Sequence, residues 1–369
     1  MGLLRLLLAL AVVTAHAGPP GGIAWLEMTG GPPSVQVFYV ISGFYMTLIL
    51  NTKYVGEGSY LTFAKSRLLR LLPMFLAVLA TTVLAAFVLQ WTNGVRIEPL
   101  ARWHEHAGAM PFAHLLALVA SNLAIVGQDA ITFCAVDPQT HALFFTSNFH
   151  DHPLPAWQFL FVPQAWTVSV EISFYLVAPL LVRRRPWLIA ALVVASLGLR
   201  VWLMRHFSLY HDPWTYRFFP TELALFLSGA LAWHGYRWLS ARGLLRPSVC
   251  RLATIAALAL VLGFTFLPPL LRQGRYALPG VLAVMVVLLP FVFHATKTNA
   301  IDRAIGELSY PVYLVHYLIV FVFGAVGLDD HVAARGSVTM VASLGAAYLL
   351  WRWVGLPLES RRQQLMPNA

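Results

Sequence analysis

Long apolar runs recur along the whole chain and constrain its fold more than any other feature of the sequence. Ten of them approach the length that a helix needs to cross a hydrocarbon core about 30 Å thick. They cover roughly residues 3–17, 34–50, 71–90, 165–182, 187–203, 216–236, 252–268, 276–294, 308–326 and 336–354. Only 11% of the 369 residues are charged, whereas a soluble domain carries about 25%. The sequence therefore predicts an all-α polytopic membrane protein with about ten transmembrane helices in a lipid bilayer.

An eleventh apolar stretch, residues 112–127, is shorter and contains His114, Ser121 and Asn122. We expect a re-entrant or interfacial segment here, because polar side chains are costly in lipid. The loop that follows, about residues 128–164, has no Lys or Arg and is expected on the extracytoplasmic side. No internal repeat or soluble segment interrupts the pattern. Residues 1–369 are therefore predicted to be one integral-membrane domain without a fused soluble domain.

The distribution of basic residues predicts the orientation in the membrane. With ten spans and the N-terminus inside, most of the 25 lysines and arginines, including Arg183–Arg185, fall in loops on the cytoplasmic side, where membrane proteins concentrate them. Both termini are then cytoplasmic. The same bias accounts for the net charge of +10. Because no basic block forms a patch, no nucleic-acid partner is expected. Cys134 and Cys250 fall on opposite sides and are not expected to pair.

The first apolar run supports two interpretations. As a cleaved signal peptide, it has Arg5 before an apolar Leu6–Val13 segment and ends in the small-residue pattern Ala15-His16-Ala17. As a membrane helix, it places Arg5 and His16 eleven positions apart, which is three turns plus about 20° and about 16 Å along the axis. Both side chains then lie on one face at two depths. Ionisable groups within a bilayer usually face the protein interior.

Five short motifs appear in a consistent order along the chain. They are Arg5-x10-His16, Phe38-Tyr39-Val40-Ile41-Ser42-Gly43-Phe44, Arg67-Leu-Leu-Arg70-Leu-Leu-Pro73, Trp166-Thr-Val-Ser169-Val-Glu171-Ile-Ser-Phe174-Tyr175-Leu-Val-Ala-Pro179 and Ser309-Tyr310-Pro311-Val312-Tyr313-Leu314-Val315-His316. Together they resemble the acyltransferase 3 family, bacterial membrane enzymes that transfer acyl groups, often acetyl, to sugars. The resemblance favours an embedded first helix over a signal peptide.

The resemblance implies a membrane O-acyltransferase of the bacterial inner membrane. The donor would be a cytoplasmic acyl-CoA, by analogy acetyl-CoA, and the acceptor a hydroxyl of a carbohydrate or glycolipid on the extracytoplasmic side. No permanently bound cofactor is expected. No metal is expected either, since the spacing of the outer-loop histidines fits no standard site. These histidines are His104, His106, His141, His150 and His152.

Arg67 and Arg70 are predicted to bind the phosphates of the donor. They lie three residues apart on one side of a helix, and guanidinium groups bind phosphate well. The alternative is that they only mark a cytoplasmic helix end. Arg5 would meet the pantetheine arm or the thioester carbonyl, or would hold the helix bundle together.

His16 is the predicted general base, since histidine accepts protons near neutral pH. A transient acyl-histidine would use the same residue as a nucleophile. A structural alternative is a helix-end histidine bonded to the backbone. Glu171 is the second predicted catalytic residue and would orient His16 or position the acceptor hydroxyl. Its structural alternative is an ion pair with an arginine such as Arg217.

Four further residues are predicted to contact substrate, namely Ser42, Trp166, Tyr310 and His316. Close helix packing explains the Ser42-Gly43 pair as well as chemistry does. Tyr310 and His316 lie six positions apart, about 240° net, so they do not share a helix face. Tyr310 is expected near the CoA moiety, and His316 is either deeper in the path or a core histidine.

A transporter or flippase for a small anion or lipid is the alternative function. A polytopic bundle with buried Arg and His side chains suits transport as well. Transporters often have repeated halves with interrupted helices in matching positions, and the sequence has no such repeat. Acetyl transfer by the purified protein would separate the two functions.

Overall fold

Helices form nearly all of the fold in the computed structural model, which describes residues 1–268, 272, 277–327 and 332–364. They are α1 (Gly2–Ala17), α2 (Gly31–Thr52), α3 (Ser59–Asn93), α4 (Glu98–His106), α5 (Phe112–Leu123), α6 (Gln128–Ile131), α7 (Trp166–Leu181), α8 (Pro186–Phe207), α9 (Phe219–Ala241), α10 (Pro247–Leu262), α11 (Ala277–Thr296), α12 (Ala300–Glu307), α13 (Ser309–Ala325), α14 (Val332–Leu350) and α15 (Leu356–Gln364). A π-helical turn, Trp351–Gly355, joins α14 to α15. Two short antiparallel strands, β1 (Cys134–Val136) and β2 (Leu143–Phe145), pair with Cys134 opposite Phe145.

Among the described residues, seven helical stretches are long and apolar enough to cross a membrane. They are Ala24–Thr52, Ser59–Asn93, Pro163–Leu181, Pro186–Phe207, Leu278–Thr296, Ala300–Ala325 and Ala334–Arg362. The predicted all-α multi-pass membrane fold is confirmed, but the predicted count of about ten spans is not. Helices α1 and α10 have 16 residues each, fewer than the roughly 20 that a span needs. Helix α9 contains Glu222 and His234, which lower its hydropathy.

Helix α1 packs inside the bundle. Leu4, Leu8 and Val13 are at most 1% exposed. At its start, the Gly2 and Leu3 amides donate to the two Asp302 carboxylate oxygens at 2.7 and 2.9 Å. Such a cap satisfies amides that have no partner in the first helical turn. The structure therefore supports the interpretation of the first apolar run as a helix of the bundle.

Two glycines let α2 and α9 approach until their backbones touch. A Cβ on Gly43 would collide with the carbonyl oxygen of Phe226, and a Cβ on Gly229 would collide with that of Val40. Small residues at helix contacts allow this close approach in membrane proteins. Gly43 therefore has the packing role that the sequence left open. By holding α2 against α9, Gly43 sets the position of its neighbour Ser42 relative to α7.

We expect Gly229→Ala to destabilise the protein by about 1–3 kcal/mol, because the added methyl group must separate two packed backbones. Gly235→Ala in the same helix is the matched control, since a Cβ there meets no atom within 4 Å. The control should melt no lower than the natural protein, because alanine favours helix. Thermal unfolding in detergent, followed by size-exclusion chromatography, measures both. Equal melting temperatures for the two variants would contradict the close backbone contact between α2 and α9.

Residues 98–164, which we call the cap, contain a hydrophobic core separate from that of the helix bundle, although Ile125 and Val162 belong to the bundle core. The buried side chains of the cap core are Met110, Leu118, Ile131, Val136, Leu154, Ala156, Phe159 and Leu160. Helix α5 has only 12 residues, about 18 Å of helix. Asn122 ties it to the cap, because its side chain donates to the Phe159 carbonyl at 3.0 Å and accepts from the Phe161 amide at 2.9 Å. Residues 112–127 therefore do not form a helix of membrane-spanning length, as predicted.

Several polar contacts join the cap to the rest of the fold, among them Gln164 Nε2 donating to the Leu314 carbonyl at 2.5 Å and Trp214 Nε1 donating to the Ser147 carbonyl at 2.8 Å. Ser169 in α7 donates to the Asp129 carboxylate at 2.5 Å and accepts from the Gly127 amide at 2.9 Å. Burial raises the pKa of Asp129. Cys134, in the cap, and Cys250, in α10, are both free, as predicted.

Candidate active site

A cavity of about 390 Å³ lies among α1, α2, α3, α7, α12 and α13. It brings together six of the predicted site residues, although they come from five helices. They are Arg5, Ser42, Arg67, Arg70, Glu171 and Tyr310. The other three, His16, Trp166 and His316, lie outside its lining. The predicted residues therefore divide into a cavity group and a second group.

Glu171 is the acidic centre of the cavity wall. The Ser42 hydroxyl donates to its Oε1 at 2.6 Å, and the Tyr175 hydroxyl donates to the same oxygen at 2.5 Å. Tyr175 lies one turn further along α7, so helical periodicity places both side chains on one face. Ser42 reaches Glu171 from α2, the helix that the two glycine contacts hold against α9. The carboxylate thus holds two hydroxyl groups at the cavity surface.

Two predicted interactions of Glu171 are not found in the structure. Glu171 does not pair with Arg217, because the Arg217 Nε group donates to both oxygens of Asp212 at 2.7 and 2.9 Å. Asp212 lies only five residues away in the same loop, so it occupies Arg217 locally. Nor does Glu171 contact His16, since its hydroxyl partners place it on the cavity wall.

Positive charge surrounds one end of the cavity. Arg67 is 8% exposed, and its Nε atom has no hydrogen-bond partner in the described part of the chain. Arg70 pairs with Glu307 at 3.2 Å. Four further basic residues complete this end, namely Lys53, Lys297, Arg303 and Arg362. All of them fall on the side that the sequence predicts to be cytoplasmic. This end of the cavity suits a polyanionic group.

Arg5 reaches the cavity from α1. Its Nη1 atom lies beside Gly306 in α12, and a Cβ on Gly306 would be 3.6 Å from it. The same Cβ would collide with the Gly2 backbone. Gly306 therefore allows α1 and α12 to touch and leaves room for the Arg5 guanidinium group at the cavity edge.

Two tyrosines of α13 line the cavity. The Tyr310 hydroxyl donates to the Leu71 carbonyl at 3.0 Å, which fixes its ring against α3. The Tyr313 hydroxyl accepts from Thr167 at 2.8 Å and donates to the Gln164 carbonyl at 3.1 Å. Tyr313 and Thr167 both line the cavity. These bonds make a polar layer between α7 and α13.

The two predicted site histidines meet beyond this layer. The ring centroids of His16 and His316 are 5.2 Å apart, and the Tyr313 ring lies 5.7 Å from that of His316. Tyr317 flanks both imidazoles at 4.8 and 5.0 Å. Tyr313 is thus the side chain common to the cavity and to the histidine pair. Tyr310 lines the cavity, whereas His316 does not.

Trp166 lies under an arginine. The Arg217 guanidinium carbon is 4.3 Å from its ring centroid, and the Trp166 side chain is buried. This cation–π contact and the Asp212 pair together fix Arg217 beside the N-terminal end of α7. Trp166 therefore supports Arg217, and its face is covered by the guanidinium group.

The five loop histidines do not gather at one point. His106 and His141 approach through their Nδ1 atoms at 3.1 Å, and burial lowers the pKa of His106. His152 bonds Thr146 at 2.9 Å. Among the described residues, no group of three or more His, Cys, Asp or Glu side chains is arranged to hold a metal ion.

Sequence reasoning missed Tyr175, Tyr313, Tyr317 and Arg217 as site residues. The three tyrosines belong to or adjoin the recognised motifs, and a helical-wheel comparison with Glu171 and His316 would have found Tyr175. Arg217 has no such signal, because its partners come from the loop before α9 and from α7.

Comparisons with known proteins identify the family of this chain. Residues 1–352 match the family described as "Acyltransferase domain". Nodulation protein 10 of Rhizobium leguminosarum bv. viciae is 25% identical over 383 residues, which cover 99% of this chain and 94% of that protein. An uncharacterized protein of Aquifex aeolicus (strain VF5) is 23% identical over 208 residues, covering 55% of this chain and 90% of that protein. No solved structure shows a significant match. The chain belongs to the acyltransferase 3 family of membrane acyltransferases.

Proposed function

We propose that this protein transfers an acetyl group from acetyl-CoA to a hydroxyl of a sugar or glycolipid on the far side of the bacterial inner membrane. The observation that carries the proposal is the cavity that joins Arg5, Arg67 and Arg70 to the polar layer at Tyr313. The histidine pair lies directly beyond that layer. Family membership supports acyl transfer, and the charge pattern supports a phosphate-bearing donor from the cytoplasm.

The donor is proposed to bind in the basic end of the cavity. A guanidinium group binds phosphate through several directed N–H groups, and Arg67 has a buried Nε atom without a partner among the described residues. Arg70 already pairs with Glu307, so Arg67 is the stronger phosphate ligand of the two. Arg5 lies at the cavity edge beside Gly306 and is proposed to contact the pantetheine arm.

The acceptor hydroxyl is proposed to meet the thioester at His16. His16 Nδ1 donates to the Val12 carbonyl at 2.9 Å; this tautomer is assigned from the hydrogen bond. Its Nε2 atom is then a lone-pair acceptor, as a general base requires. The hydroxyl oxygen attacks the thioester carbonyl carbon while Nε2 takes the proton. The C–S bond then breaks, and the CoA sulfur takes up the proton from Nε2.

A reconstituted assay tests this proposal directly. The full chain is purified and incubated with isotopically labelled acetyl-CoA and with glycolipid from cells that lack the gene. Mass spectrometry should detect glycan that carries one acetyl group in place of a hydrogen. If the protein acetylates no glycan fraction and instead moves acetyl-CoA or glycolipid across sealed vesicles, the transport function is correct.

Glu171 is expected to act through the hydroxyl groups that it holds. Glu171→Leu leaves the Ser42 and Tyr175 hydroxyls without their acceptor, a loss that costs about 1–3 kcal/mol per buried group. We expect kcat/KM for acetyl-CoA to fall at least about tenfold. Glu171→Gln keeps an acceptor oxygen and should retain most of the activity. Equal losses in the two variants would show that the negative charge itself is required and would contradict this role.

A further inference from the structure

Both histidines of the pair are held in the same tautomer. His16 Nδ1 lies 2.9 Å from the Val12 carbonyl oxygen, and His316 Nδ1 lies 2.7 Å from that of Tyr313. A carbonyl oxygen only accepts, so each Nδ1 carries the ring proton when the imidazole is neutral. Both Nε2 atoms therefore present lone pairs.

His316 has an unused acceptor in a fully buried position. Its side chain is 0% exposed, and its Nε2 atom has no hydrogen-bond partner among the described residues. Such orphaned buried atoms are uncommon and call for a physical reason. The His16 ring is 5.2 Å away between centroids. The His16 imidazole therefore lies beside the ring that carries this unpartnered Nε2 atom.

The carboxylates of the neighbouring helices and loops are occupied elsewhere. A histidine base is commonly backed by a carboxylate, but here Glu171 is held by Ser42 and Tyr175, and Asp212 by Arg217. The Glu222 carboxylate accepts from Arg200 and Gln36. Within the described residues, His16 must therefore find another partner when it becomes positively charged.

The other groups that face His16 are neutral or positive. Tyr317 and His316 face it from α13, and Arg335 of α14 donates to its backbone carbonyl at 3.1 Å. Arg217 is near on the loop before α9 and lies over Trp166. Helix α1 adds only Arg5, three turns away. A cation on His16 is unfavourable among these arginines unless a neutral acceptor stabilises it.

We propose that His316 is a positioning residue that shares the proton which His16 takes from the acceptor hydroxyl. This rests on the proposed acyl transfer. The proton moves from the hydroxyl oxygen to His16 Nε2 as the new C–O bond forms. The resulting N–H is shared with the lone pair of His316 Nε2 until the C–S bond breaks and the CoA sulfur takes the proton. His316 gains no proton overall, and the pair acts as one base.

Two variants of His316 test the shared proton. His316→Leu removes the acceptor, whereas His316→Gln offers an amide oxygen in its place. The full chain in detergent is assayed with acetyl-CoA and glycolipid from the deletion strain, from about pH 5 to 9. We expect His316→Leu to lower kcat by about 10- to 100-fold near neutral pH, with little change in KM for acetyl-CoA. His316→Gln should recover much of that loss.

The pH dependence separates this role from a structural one. Without His316, protonated His16 is less stable, so the acidic limb of the kcat profile should move to lower pH in His316→Leu. An unchanged kcat in this variant would overturn the proposal. A second result would also overturn it. In that result, His316→Leu and His316→Gln lose the same fraction of kcat, both melt at a lower temperature, and the acidic limb of the kcat profile does not move. If the natural protein itself transfers no acetyl group, the proposed acetyl transfer is wrong. That result differs from the one in which the natural protein is active and only the role of His316 is wrong.

Discussion

His16→Ala should lower acetyl transfer by about 10²- to 10⁴-fold, the range that a general base contributes. The alanine cannot accept the hydroxyl proton, and the neighbouring His316 lies deeper, fully buried. The measurement is kcat with acetyl-CoA and a glycan acceptor, made on purified protein. KM for acetyl-CoA should change little, because the donor cavity does not include His16.

The matched control for His16→Ala concerns folding. The His16 backbone carbonyl accepts from Arg335 at 3.1 Å, and this bond does not depend on the side chain. The variant should therefore elute and melt like the natural protein. His16→Gln, which fills the space but is not a base, should be as inactive as His16→Ala. Near-normal turnover in either variant would remove His16 from the chemistry. A labelled acyl-histidine trapped at low temperature would assign it as a nucleophile instead.

Arg67→Ala combined with Arg70→Ala should raise KM for acetyl-CoA by about 100-fold. A hydrogen bond to a charged group contributes about 1.5–3 kcal/mol, and two guanidinium groups are removed. Arg67→Ala alone should have the larger effect, because Arg70 is already paired with Glu307 at 3.2 Å. The change should appear in KM more than in kcat, since the phosphates bind equally in the ground state and the transition state.

A truncated donor makes this prediction specific. Acetyl-pantetheine keeps the thioester but has no phosphate, so the natural protein and the double variant should use it equally well. Arg185→Ala is the surface control, because Arg185 is exposed and lies outside the cavity lining. It should leave KM for acetyl-CoA unchanged. If the double variant also loses activity toward acetyl-pantetheine, the arginines support the fold rather than the phosphates.

The sequence predicted the fold class well and the number of spans less well. Apolar runs identify helices that meet lipid, but α1 is largely buried within the protein and needs no membrane-spanning length. Its 16 residues are enough because Asp302 caps its start and Arg335 bonds near its end. Run length alone does not distinguish a helix surrounded by protein from a span surrounded by lipid.

Helical periodicity predicted that Arg5 and His16 lie on one face of α1, but it did not predict which residues surround each of them. Both were expected on one path, whereas the polar layer at Tyr313 places Arg5 in the cavity and His16 beyond it. The partner of Glu171 was equally hidden, since Ser42 lies 129 residues away in sequence. Contacts of this length depend on how α2 packs, and a single sequence does not encode them as a readable pattern.

The separate hydrophobic core of the cap has an evolutionary consequence. The side chains of this core could vary between relatives, whereas the residues that tie the cap to the bundle, such as Gly127, Asp129 and Gln164, would have to stay. The pair His16 and His316 and the basic cavity belong to the bundle and would be inherited intact. Divergence within the family would then change the interior of the cap while the helix bundle beneath it stays the same.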